Sequence, residues 1–185
     1  MLENLREATQ QLHKDIEQDN LAALIMTHNI SVDEYKLLLL QNYIAYKFTE
    51  AEIEKHFPDW SSDKSTRLKK DLENLNVDTS IAAEFENKFS INNEAEALGA
   101  TYVLEGSALG GMQIAKEIQH CTSLSHLQPQ HFFTPERKSM EGWNIFLKKL
   151  RHSEFSEKEV IAASKKAQDT FVFFGAIFRF SFKLT

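Results

Sequence analysis

Ala97-Leu98-Gly99-Ala100-Thr101-Tyr102-Val103-Leu104-Glu105-Gly106-Ser107-Ala108-Leu109-Gly110-Gly111 is the stretch on which the fold turns. It holds four of the chain's six glycines within a segment, Ala97 to Cys121, whose other residues favour one long helix. A glycine in a helix interior costs about 0.8–1 kcal/mol relative to alanine, so Gly106, Gly110 and Gly111 together forgo about 2.5–3 kcal/mol of local preference. Two arrangements offset such a loss. A second helix can pack through the small-residue face, or something flat or bulky can lie directly against the bare backbone while the helix bends there. The glycines alone leave both open.

Around this segment the pattern is helical throughout. Only Pro58, Pro129 and Pro135 interrupt 185 residues, and no sustained period-2 run of β-branched residues occurs. An all-α, single-domain, multi-helix bundle over residues 1–185 is expected. Leu2, Leu5, Leu12 and Ile16 recur at helical spacing up to Asp19-Asn20, and a short apolar piece, Leu21 to Met26, follows. Ser31 with Glu34 is a capping box opening a helix with Tyr35, Leu38, Leu39, Ile44 and Phe48, which runs toward Pro58. A charged helix ending near Asn76 and a shorter one around Ile81 to Phe89 lead to Asn93, which with Glu96 caps the glycine-bearing helix. Thr122 to Pro135 reads as irregular, with Pro135 at the first position of a helix reaching about His152. Ser156 with Glu159 caps the final helix. Into that helix the pattern places Phe171, Phe173, Phe174, Phe178, Phe180 and Phe182, on more than one face, as expected for a deeply buried segment or the wall of an apolar cavity.

Charge and composition narrow the function classes. The net charge is −6, from 21 Lys and Arg against 27 Asp and Glu, which argues against nucleic acid or an anionic membrane as the main partner. The basic groups Lys148, Lys149 and Arg151, and Lys64, Arg67, Lys69 and Lys70, read as solvated helix faces, because acidic residues flank them. The start has no basic and apolar export pattern, and no apolar run nears the roughly 18 residues of a membrane span. One cysteine, Cys121, permits no intrachain disulfide and no cysteine zinc cluster. A cytoplasmic protein is expected.

The first helix carries a polar line on one edge. On a wheel of about 100° per residue, Arg6, His13 and Glu17 fall within about 40° of one another along the flank of the apolar stripe. His13 and Glu17 are spaced i, i+4, so the carboxylate can accept from one ring nitrogen and leave the other for a metal. Arg6 stands about two turns away, placed for an anionic group. Among seven histidines only His13 has this local company; His28, His56, His120, His126, His131 and His152 sit near loops or helix ends without comparable neighbours. A surface histidine beside an ordinary solvated acid, with Arg6 paired to Glu3 or Gln10, is the alternative.

Taken together, Leu5-Arg6-Glu7-Ala8-Thr9, His13 and Tyr102 to Gly111 resemble the heme oxygenase family, in its bacterial, biliverdin-producing branch. The order and spacing of both motifs, the length and the helical pattern agree over essentially the whole chain. The resemblance implies a heme-oxygenase-like bundle with a kinked, glycine-rich distal helix, cleaving heme to biliverdin, Fe2+ and CO with O2 and an external electron donor, a ferredoxin or reductase. It implies His13 as the iron ligand with Glu17 orienting it, Gly106, Ser107, Gly110 and Gly111 on the distal side, and Arg6, Tyr102 and Lys116 near the heme edge or propionates. Animal members carry an aspartate just after the first distal glycine; here that position is Ser107. Distal water would then be organised by Ser107, by backbone carbonyls or by Glu105.

The residues fit that chemistry. A neutral histidine ligand and bare glycine backbone leave room for a small ligand at the iron. Three other readings stand beside it. A carrier or sensor of the same fold would share ligand and pocket, and a structural or interaction module would use Phe171 to Phe182 as a partner face. A di-iron oxidase would need several facing Glu-x-x-His pairs, of which Glu117 with His120 is the one present.

Overall fold

A computed structural model describes residues 1–134 and 138–182. Among the described residues seven α-helices follow in order: α1 (Leu2–Asp19), α2 (Ala22–Met26), α3 (Val32–Glu54), α4 (Lys64–Asn74), α5 (Glu94–Glu117), α6 (Lys138–His152) and α7 (Glu157–Phe178). Short 3-10 turns occupy Ser80–Phe85, Ile118–His120 and Thr122–Leu124, and no strand occurs among the described residues. The expected N1 role of Pro135 lies outside the described residues.

Local capping sets the starts of three long helices. Ser31 accepts from the Glu34 N–H while Glu34 accepts from the Ser31 N–H, and Ser156 with Glu159 repeats the arrangement. Asn93 accepts from the Glu96 N–H at 3.0 Å at the head of α5. α3 is the central helix, buried continuously from Leu38 to Tyr46. α7 packs against α1, α3 and α5, and α5 also packs against α6.

Gly99 makes a close helix crossing. A Cβ there would lie 2.9 Å from the Ala163 carbonyl carbon and 3.0 Å from the Ala167 N, so α5 and α7 meet backbone to backbone. Gly106, Gly110 and Gly111 behave differently. A Cβ at Gly110 or Gly111 would meet nothing within 4 Å, and one at Gly106 would only touch the Trp143 ring at 3.8 Å. These three glycines are not a helix-packing seam.

Several expectations are corrected. The segment expected as a helix around Ile81 to Phe89 is the 3-10 turn Ser80–Phe85, and Asn87, at φ 61°, turns the chain out of helical geometry. α7 stops at Phe178, so Phe180 and Phe182 follow the helix rather than belong to it. Gln41 of α3 donates to the carbonyls of Phe178 at 2.8 Å and Phe180 at 3.2 Å, which holds this exit.

The basic run on α4 is not a uniformly solvated face. Lys69 and Lys70 are exposed, but Lys64 and Arg67 are largely buried. Arg67 donates to His131 O at 2.6 Å, Phe132 O at 3.1 Å and Thr134 Oγ1 at 2.7 Å. One turn further along, the buried Asp71 accepts from the N–H groups of His131 at 2.7 Å and Phe132 at 2.8 Å. Burial pushes the Asp71 carboxyl up, against the lowering effect of those two N–H groups. Arg67 and Asp71, one turn apart on α4, thus clamp the irregular segment onto the bundle.

Candidate functional site

A cavity of about 390 Å³ opens where these elements converge, within the size range of small-molecule and cofactor sites. α1 supplies Arg6, His13 and Ile16, and α5 supplies Tyr102, Gly106, Ser107 and Gly111. Phe171, Phe174 and Phe178 of α7, with Phe132 and Phe133 of the clamped segment, form an aromatic wall. Leu38, Asn42 and Tyr46 of α3, Lys64 and Arg67 of α4, and Trp143 of α6 also line it.

His13 is held at the edge of this space. Its ring meets Phe171 edge-on at 5.7 Å, and its Nδ1 lies 3.5 Å from Glu17 Oε1. The Nδ1 side therefore faces the carboxylate, and Nε2 is the nitrogen left for another partner. Both side chains are more than half exposed, so the pair is accessible rather than a buried structural bridge.

Six of the nine residues singled out from sequence, Arg6, His13, Tyr102, Gly106, Ser107 and Gly111, line the one cavity. Glu17 reaches it through His13. Gly110 and Lys116 are exposed on α5 and are not brought to the lining. Glu105 is buried and engaged elsewhere: it accepts from Trp60 Nε1 at 2.9 Å and lies 4.0 Å from Lys64 Nζ.

The polar side of the cavity contains groups that local sequence reading missed. The Ser107 hydroxyl donates to Leu104 O at 2.6 Å and lines the cavity together with the Tyr46 phenol. Burial is the largest cause of the rise of the Tyr46 phenol to about 12; Glu50 and Glu105 add to it and Ser107 opposes it. Tyr46 is therefore a neutral donor at ordinary pH. The signal for this face was present: Asn42 and Tyr46 follow at i, i+4 spacing, two polar groups on one side of α3.

His13 is not the only histidine with a carboxylate neighbour. His28 Nε2 lies 2.8 Å from Glu117 Oε2, and the His28 and His120 rings are 5.5 Å apart. This corrects the expectation that the other histidines lack comparable company; the contact joins residues 89 positions apart and leaves no local trace. No group of three His, Cys, Asp or Glu able to hold a metal occurs among the described residues, so the di-iron reading has no ligand cage there. No helix among them is long and apolar enough to cross a membrane.

Comparison with known proteins gives the family and the fold. The family model described as Heme oxygenase matches residues 1–180. The heme oxygenase PigA of Pseudomonas aeruginosa is 34% identical over 88 residues, which span 48% of this chain and less than half, 44%, of that protein. Among solved structures, heme oxygenase from Leptospira interrogans superposes with a TM-score of 0.70 at 20% identity, covering 95% of this chain and 96% of that one. Heme oxygenase-1 of the cyanobacterium Synechocystis, in complex with heme, gives 0.67 at 18% identity, over 94% and 88%. The NO- and CO-bound heme oxygenase of Neisseria meningitidis gives 0.63 at 19%, over 96% and 89%. At these identities the structural matches establish the fold, and the family match over nearly the full length establishes membership: the chain belongs to the heme oxygenase family.

Proposed function

We propose that residues 1–185 form one heme oxygenase domain that binds heme and cleaves it to biliverdin, Fe2+ and CO, using O2 and electrons from a ferredoxin or reductase in the cytoplasm. The observation that carries this reading is that His13, with Nδ1 turned to Glu17, shares one aromatic-walled cavity with Gly106, Ser107 and Gly111.

The residues fit a flat, amphipathic ligand. Beside the aromatic rings, a Cβ at Gly111 would meet nothing, so a planar ring system can approach the backbone. His13 Nε2 would hold the iron, and Glu17 would fix the imidazole plane through Nδ1. Arg6, exposed on the same edge of α1, would take a propionate, with Tyr102 beside the ring edge and Lys116 at the rim. When bound, heme supplies both the iron at which dioxygen is reduced and the carbon ring that is oxidised.

The remaining steps belong to the protein. Gly106 and Gly111 keep bulky side chains away from the reacting face, and a bend of α5 would bring its backbone, Gly110 included, toward the ring. Leu104 O accepts from two side chains, Lys64 Nζ and Ser107 Oγ, which favours such a bend. Ser107 and the protonated Tyr46 can hold an ordered water and pass a proton to the reacting oxygen, in place of a distal carboxylate. The phenylalanine wall excludes other water.

The test is hemin titration followed by turnover. One equivalent of hemin should give a sharp Soret band, and ascorbate or a ferredoxin and its reductase should then convert it to biliverdin absorbance. A Soret band that survives reductant in air would make the protein a heme carrier of this fold. Absence of the band would overturn both readings.

A further inference from the structure

Lys64 is, with Arg67, a largely buried cation on the wall of the cavity, and it is the one whose ammonium bonds to α5. Its side chain is only 14% exposed, yet it borders the cavity. Its ammonium donates to Leu104 O at 2.7 Å, lies 5.8 Å from the centre of the Tyr46 ring, and is 4.0 Å from Glu105 Oε2. Leu104 O is the carbonyl that also takes the Ser107 hydroxyl at 2.6 Å. Lys64 thus touches the turn of α5 that precedes Gly106, from a helix 40 residues earlier.

A buried ammonium is expensive to keep without compensation. Here the compensation is partial. Glu105 is bonded to Trp60 and packed against the backbone of Gly142, where a Cβ would come within 2.6 Å of its Oε2, so it cannot close fully on the lysine. The charged groups facing Lys64 are Glu105, Glu50 and Asp63, which favour its cationic form, and Arg67, which opposes it. Burial, the largest influence, pulls its pKa below the ordinary 10.5. An incompletely paired charge in a low-dielectric wall projects its field into the adjoining space.

We propose that Lys64 is the fixed cation of the α5 side of the cavity: it positions the Leu104–Ser107 turn and stabilises negative charge on a small ligand bound at the iron. The inference rests on the heme reading of the cavity. Lys64 is a positioning residue, acting through Leu104 O and through its field rather than by contact with heme.

The test uses the ferric hemin complex of the full chain, titrated with azide, an anion, and with imidazole, a neutral ligand. Lys64→Met should weaken azide by about tenfold or more, the scale of a unit charge several ångströms away at an effective dielectric constant near 20. Imidazole affinity should stay unchanged, and Lys64→Arg should restore azide binding. The double variant Lys64→Met with Glu105→Gln leaves no orphaned carboxylate and should show the same azide-selective loss. Equal losses for azide and imidazole, unchanged azide affinity, or failure of both methionine variants to take up hemin would overturn the proposal. Failure of the wild-type chain to take up hemin would instead overturn the heme reading, so the two failures are distinguishable.

Discussion

Replacing Gly110 and Gly111 with alanine should stabilise the heme-free protein, although each sits in the helix assigned to the reacting face. Both lie inside α5, and an added Cβ at either meets nothing within 4 Å. Each substitution then recovers the intrinsic difference between glycine and alanine, about 0.8–1 kcal/mol, or about 2 kcal/mol for the pair. For a chain of this size each kcal/mol corresponds to about 2–4 °C, so the double variant should melt roughly 3–8 °C higher. Gly99→Ala is the internal control. Its Cβ would strike the Ala163 carbonyl, and overpacking of that kind costs about 1–3 kcal/mol. Thermal melts of the heme-free variants, paired with hemin titrations, separate the two roles: a larger replacement, Gly111→Leu, should block hemin without lowering the melting temperature. A lower melting temperature for Gly110→Ala with Gly111→Ala would refute the claim that these glycines face open space.

His13→Ala should weaken hemin binding and abolish turnover, with partial recovery on adding imidazole; normal spectra and turnover in that variant would remove His13 as the ligand. Arg6 is exposed, and a rim ion pair is worth roughly 0–1 kcal/mol, so Arg6→Ala should leave hemin affinity within about tenfold. The same change should alter the ratio of biliverdin isomers, as should Lys116→Ala, and chromatography showing identical ratios in both would exclude these residues from the site. Acid should act through the two capping boxes. Hydrogen bonds from the Ser31 N–H and hydroxyl hold Glu34 below its ordinary 4.5, and the Ser156 hydroxyl and N–H do the same for Glu159. Because both folded-state values are depressed, their stabilisation is present above about pH 4.5 and is lost as pH falls through the lower folded values. Ser31→Ala with Ser156→Ala should flatten that part of the stability profile; an unchanged acid limb in urea melts would contradict it.

What the sequence made legible is what is local. The caps at Ser31, Asn93 and Ser156 depend on residues three positions apart, and the structure has all three. The Arg6, His13, Glu17 edge follows from helical period alone, and its meeting with the Tyr102 to Gly111 segment in one cavity came from resemblance rather than periodicity. What stayed hidden is long-range. Lys64 and Arg67 look like solvated charges until Leu104, 40 residues on, and His131, 64 residues on, supply their carbonyl acceptors. The His28 to Glu117 contact is hidden for the same reason. Gly99 and Gly106 share a helix and a residue type, yet one admits α7 and the other borders the cavity, a difference that only the tertiary neighbours decide.

Quantifying carbon monoxide during a single reductive turnover of the one-to-one hemin complex in air tests the central claim most directly. Ring cleavage in the His13 cavity predicts one CO released per heme, together with loss of the Soret band, in the wild-type chain and none in His13→Ala. Intact hemin with no CO from the wild-type complex would contradict it.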